Sequence, residues 1–109
     1  MSTATLPPLA VMTALADANR LSLLDRLGRE GPASATTLAR DADMTRQGVL
    51  KHLAVLEDAR IVGRRRAGRE VVFVPSPEPL QETARWLEAT TRAWGRRLDD
   101  LKRRAEGEE

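Results

Sequence analysis

Apolar residues along this 109-residue chain recur at helical spacing in four successive blocks, switch to a strand-like pattern, and then return to helical spacing until near the end. Leu9, Met12, Leu15 and Ala16 form the first block, after Pro7 and Pro8, residues tolerated in a first helical turn. Asp17 and Asn19 break that run and can cap a second helix over residues 19–30. Its stripe is Leu21, Leu23, Leu24 and Leu27, with Arg20, Asp25, Arg26 and Arg29 expected to face water. Gly31-Pro32 stops it. Ser34 can cap a short third helix, SATTLARDA, with Leu38, Ala39 and Ala42 inward. Ser34, Thr36 and Thr37 could equally bond a phosphate at that helix start.

The fourth block, Thr45 to Ala59 (TRQGVLKHLAVLEDA), predicts a helix with two distinct faces. Val49, Leu53 and Leu56 make a buried stripe, while Arg46, Gln47 and Lys51 lie elsewhere and can all hydrogen-bond. Thr45 is placed to accept from a free N–H of the first turn. Only Asp43 and Met44 separate this helix from the third. A short helix, a tight turn and a longer helix with a polar first turn make a helix-turn-helix, here without a glycine in the turn. After Arg60 come two β-rich runs, IVGRRR and REVVFVP, with Ala67-Gly68 as the expected hairpin turn. A hairpin directly after a helix-turn-helix is a wing. Pro75, Pro77 and Pro79 then punctuate a linker into a long helix from about Leu80 to Arg104. Its apolar positions, Leu80, Ala84, Leu87, Thr91, Trp94, Leu98 and Leu101, are separated alternately by four and three residues, a heptad seam suited to a partner helix, with Trp86 beside it.

The expected fold is therefore mainly α with a small β-hairpin: a winged helix-turn-helix, dimeric through its first and last helices. Residues 9–104 form the domain, with a flexible N-terminus over 1–8 and a disordered acidic tail over 105–109. One small domain buries limited apolar surface, so dimerisation would add stability.

Charge sharpens the picture. The chain carries 18 basic and 16 acidic side chains for a net charge of +2. Residues 45–70 hold seven basic and three acidic groups, a local excess of +4, while the segments before and after come to −1 each. Localised positive charge is the footprint of a polyanion binder. There is no cysteine, which excludes disulfides and thiolate metal sites. His52 is the single histidine, too little for a metal site of three or four ligands. The acid pairs Asp41/Asp43 and Asp99/Asp100 could hold a hard cation, but exposed helix acids usually only solvate. No nucleophile–base set, glycine-rich phosphate loop or metal triad is present, so neither catalysis nor a cofactor is expected. No apolar run approaches the roughly 20 residues of a membrane span, and the N-terminus lacks the pattern of a signal peptide. A cytoplasmic location without membrane contact is the expectation.

Three stretches, ALADANRLSLLDRL, TRQGVLKHLAVLEDARIV and GRRRAGREVVFVP, resemble the paired opening helices, recognition helix and wing of the ArsR/SmtB-type winged-helix transcriptional repressors. The resemblance covers about residues 9–104. It departs from the metal-sensing members, which carry cysteines or histidine and acid clusters, and is closer to a metal-independent branch. It also departs at Leu50, often a serine in relatives that reaches DNA; Leu50 could instead touch a thymine methyl.

The resemblance implies a homodimeric repressor on double-stranded DNA with a palindromic operator, released by an effector that the chain does not identify. Thr45, Arg46 and Gln47 would stand at the major groove, where arginine suits guanine and glutamine suits adenine. Lys51 would meet a phosphate, and His52 would face DNA or lock the helix. Arg64, Arg66 and Arg69 would reach the backbone or minor groove from the wing, with Arg66 and Arg69 nearest its tip. Leu9, Met12, Leu80, Leu87, Trp94, Leu98 and Leu101 would carry the dimer. The competing reading is a winged-helix protein–protein adaptor acting through the C-terminal tryptophan-containing helix. Five arginines between Arg60 and Arg69 without one acid argue against it.

Overall fold

Five helices and three short strands follow one another in a computed structural model that describes residues 9–107. They are α1 (Leu9–Leu15), α2 (Ala18–Glu30), β1 (Ala33–Ser34), α3 (Ala35–Ala42), α4 (Arg46–Asp58), β2 (Val62–Ala67), β3 (Glu70–Pro75) and α5 (Glu78–Ala105). The segment 1–8, Pro7 and Pro8 included, lies outside the described residues, as do Glu108 and Glu109.

The core gathers where α2, α3 and α4 meet β3. Leu23, Leu27, Leu38, Leu53, Leu56 and Phe73 are all but fully buried there. Burying such a side chain contributes roughly 1.5–3 kcal/mol. α2 follows its expected stripe at Leu23 and Leu27, with Leu24 packed beside them, but Leu21 is exposed. Asp17 caps it, accepting from the N–H groups of Asn19 at 2.9 Å and Arg20 at 3.1 Å; Asn19 does not cap.

α1 differs from expectation in the face it buries. Val11 and Ala14 enter the core, Leu15 packs against it, and Leu9 and Ala16 are exposed. The seven-residue helix lies against α2, α4 and α5, and their positions decide which stripe is covered. Arg20 was expected in water, yet its side chain is only 16% exposed. Its Nε donates to the Ala14 carbonyl at 2.7 Å and its Nη2 to that of Thr13 at 3.3 Å, which also accepts from Ala16 N–H, so Arg20 fastens the end of α1 to α2. Arg26 is drawn in too, bonding Glu30 at 3.1 Å and Asp41 of α3.

The expected hairpin is present, with a third strand added. The order is β1-β3-β2, all antiparallel, with Ala33 opposite Phe73 and Ser34 opposite Val72. A two-residue strand has no periodicity to read. Ala67 pairs with Glu70, so Gly68 (φ 66°) and Arg69 make the turn, one residue later than the sequence suggests. The one-residue shift puts Arg69 in the turn itself.

α5 is the outlier. Among the 28 residues of this helix, about 42 Å long at 1.5 Å per residue, only Thr83 is buried. Leu80, the first seam position, packs against the chain's own core. Leu87, Trp94, Leu98 and Leu101 are exposed, Trp94 by 68% and Leu98 by 63%. No helix among the described residues is long and apolar enough to cross a membrane.

Two turns carry side chains in left-handed conformation where glycine would be easier. Asp43 (φ 55°) ends α3, which is how the helix-turn-helix manages without a glycine. Aspartate tolerates this region better than most residues. Arg60 (φ 65°) follows α4 in a Schellman arrangement: its N–H donates to Glu57 O at 2.9 Å, and Ile61 N–H to Leu56 O at 3.1 Å. Ile61 and Leu56, whose contact completes such a motif, are both buried. Because arginine bears the steric cost at φ 65°, Arg60→Gly is expected to raise unfolding stability by about 1 kcal/mol in urea titration. Gly31 (φ 95°, ψ −178°) sits in a region open essentially to glycine alone, so Gly31→Ala should lower stability by about 1–3 kcal/mol.

Candidate nucleic-acid interface

α4 is fixed at its start by the threonine the sequence singles out. Thr45 is extended, and its Oγ1 accepts from Gly48 N–H at 3.0 Å. A Cβ on residue 48 would lie 3.0 Å from that same oxygen, so glycine leaves room for the cap. Val49, Leu53 and Leu56 bury the back of the helix. At about 100° per residue, Gln47 and Lys51 come to the opposite side, and both are exposed.

The flanks are occupied. Arg46 lies toward the wing, its Nε donating to Thr36 Oγ1 at 3.2 Å. Ser34 and Thr36 both border this side, and Ser34 also caps α3 by accepting from Thr37 N–H at 3.1 Å. Thr36 and Arg46 line one groove with Arg64, Arg69, Val71 and Phe73. α3, α4 and the wing thus form one concave surface. Leu50 is half-buried and packs against the core.

His52 takes the other flank. Its Nδ1 lies 3.9 Å from Asp17 Oδ1, and its side chain is mostly covered. The imidazole lies beside the capped start of α2, on a flank away from the Gln47–Lys51 front. Asp17 is thereby a junction of α1, α2 and α4. Its carboxyl is held below the ordinary aspartate range, first by the Arg20 N–H, then by the charge of Arg20, the Asn19 N–H and His52, against the opposing effect of desolvation.

The wing arginines divide. Arg64 is committed: Nε and Nη2 donate to the two carboxylate oxygens of Glu57, each at 2.7 Å. Those bonds hold the Glu57 carboxyl below its usual range. Arg65, Arg66 and Arg69 are exposed and make no ion pair among the described residues. Glu57 is the residue at this surface that the sequence reading does not single out. It stands seven positions from its partner, across the end of a helix, where no local pattern links them. The paired acids are spoken for in part, Asp41 by Arg26 and Asp100 by Arg103. Among the described residues, no group of three or more His, Asp or Glu could hold a metal ion.

A family model described as a helix-turn-helix domain matches residues 15–65, from the end of α1 into β2. The uncharacterized HTH-type transcriptional regulator YuzN of Bacillus subtilis is 35% identical over 86 residues, spanning 72% of this chain and 94% of that protein. The solved structure of an ArsR-like transcriptional regulator from Rhodococcus sp. RHA1 is 36% identical, with a TM-score of 0.80 over 90% of this chain and 92% of that one. The chain belongs to the ArsR family of transcriptional regulators. A homodimeric winged helix-turn-helix DNA-binding domain from Mycobacterium bovis, 24% identical, shares the fold at a TM-score of 0.61, over 78% of this chain and 76% of that one.

This ArsR-family regulator thus carries a helix-turn-helix DNA-binding domain made of α3 and α4 with β2–β3 as its wing. Its stability has a signature at Asp17. A carboxyl whose folded pKa is depressed contributes stability present above the unfolded pKa and lost as pH falls through the folded one. Asp17→Asn is expected to lower the melting temperature at neutral pH and to shrink its decline on acidification. Thermal melts through the carboxylate range check this; an unchanged acid decline refutes it.

Proposed function

We propose that this regulator is a homodimeric, sequence-specific repressor that inserts α4 into the DNA major groove over a palindromic operator. The observation that carries the reading is the exposed front of α4, Gln47 and Lys51, rigid behind a capped first turn and flanked by exposed wing cations. Gln47 reads base edges, and Lys51 meets a phosphate. Thr45 and Arg46, with Thr36, serve the backbone where α3 meets α4. Arg66 and Arg69 contact phosphate or the minor groove from the wing. His52 braces the helix from behind.

The dimer follows from α5. Leu87, Trp94, Leu98 and Leu101 leave an apolar seam uncovered along a helix that its own chain scarcely touches. Leu9, exposed on α1, and Met12, partly buried beside it, extend it. Covering this seam with a second copy places two α4 helices about 34 Å apart, one turn of DNA. The homodimeric Mycobacterium bovis domain of the same fold supports the arrangement. Repression comes from occluding a promoter, and release from an effector that changes the angle between protomers.

Affinity for DNA should fall linearly on a log–log plot against salt, because phosphate contacts release counterions. A flat response sinks the reading. In binding selections from random duplexes, Lys51→Ala and Arg66→Ala should weaken all sequences alike, each reducing the salt slope by about 1, whereas Gln47→Ala should blur the preferred base at one position per half-site. For the dimer, Leu98→Glu in the full chain is expected to give a monomer by sedimentation at concentrations where the parent is dimeric; a dimer of unchanged strength refutes the seam.

A further inference from the structure

Glu57 presents a puzzle of sign. A carboxylate on a helix that meets phosphates repels them, yet Glu57 stands on the wing-facing flank of α4, about three turns beyond Arg46 on the same side. Its two oxygens are both taken by Arg64 at 2.7 Å. The same guanidinium lies 5.1 Å from the centre of the Phe73 ring, and Phe73 is buried and directly opposite Arg64 in the sheet. A bidentate pair fixes the plane of a guanidinium, and the ring beneath fixes its height. Three groups on three elements (Glu57 of α4, Arg64 of β2 and Phe73 of β3) are therefore held in one arrangement. Side chains alternate along a strand. Arg66 shares the Arg64 face, and Arg65 takes the other.

We propose that Glu57, acting through Arg64, is a positioning residue that sets the direction of the wing relative to α4, and that Arg64 is a strut in place of a phosphate contact. Tying Arg64 to α4 turns the face bearing Arg66 toward the side on which α4 meets DNA, and Arg69 follows at the turn. The proposal deepens the DNA-binding reading and rests on it for its consequence, though the strut itself is a property of the free protein.

Glu57→Gln in the full chain separates the possibilities by sign. Were Arg64 a phosphate contact, the variant would bind DNA more tightly, having lost a negative charge and freed a guanidinium. The strut predicts weaker binding, by about threefold to tenfold, and faster amide exchange over residues 65–69 without DNA. Arg64→Ala weakens binding by a similar factor, and the double variant is no weaker than either single one, since both remove the same link. Unchanged or tighter binding by Glu57→Gln, additive losses, or a fall in melting temperature without a fall in affinity overturns the proposal. So do wing amides as protected as the parent's, a readout taken without DNA. Absence of salt-dependent DNA binding by the parent chain would instead overturn the repressor reading and leave the amide readout to decide the strut.

Discussion

Burial of one face of α4 is the constraint that the other elements serve. Val49, Leu53 and Leu56 have no exposure left, and α2, α3 and the sheet are packed so as to cover them. A helix held by a continuous apolar stripe cannot rotate without exposing leucine, so its opposite face stays fixed in direction while remaining free of partners. The arrangement reconciles two needs that conflict in most buried helices, rigidity and available hydrogen-bonding groups. The Thr45 cap and the left-handed Arg60 close the two ends by satisfying backbone groups that a buried helix must not leave unpaired.

Much of this was legible along the chain, because it depends on local chemistry. Spacing of three and four revealed α4, α2 and α5, and the caps at Ser34 and Thr45 stand where their residue types predict. The wing was visible as a change of period. What could not be read depends on where elements come to lie. Nothing in Leu9–Leu15 tells which of two overlapping stripes will be covered, because α2, α4 and α5 decide that. Arg20 and Arg26 looked like solvent residues on one helix face; their partners, Thr13, Ala14 and Asp41, belong to neighbouring helices. The strand Ala33–Ser34 exists only because β3 passes beside it. The same limit applies to the site. The polar front of α4 was readable, but the division of Arg64 from Arg66 and of His52 from Lys51 needed the fold.

Electrostatics in this domain works by allocation. Residues 45–70 carry an excess of positive charge, but the structure removes Arg64 from circulation and leaves Arg65, Arg66 and Arg69 uncommitted. Arg20 and Arg26 likewise serve as internal fasteners, one closing α1 and the other joining α2 to α3. Counting charges by segment finds the right region. Finding the charges available to a polyanion requires subtracting those already paired. The exposed seam on α5 is the apolar counterpart, surface that the described residues leave uncovered.

Ile61 lies in the three-residue step from α4 to β2 and is bonded to both sides of it. Its N–H closes the helix on Leu56, and its carbonyl accepts from Ser76 N–H at 2.9 Å at the base of the sheet. The residues joining α4 to the wing, Ala59 to Ile61, are each hydrogen-bonded back to the helix, which leaves little slack between the two. An inserted residue within α4 would rotate its apolar stripe out of the core, and one within β2 would flip the strand faces. Only the two-residue tip at Gly68 and Arg69 can grow without disturbing either period. A longer turn at the tip would therefore lengthen the wing and leave its angle to α4 untouched.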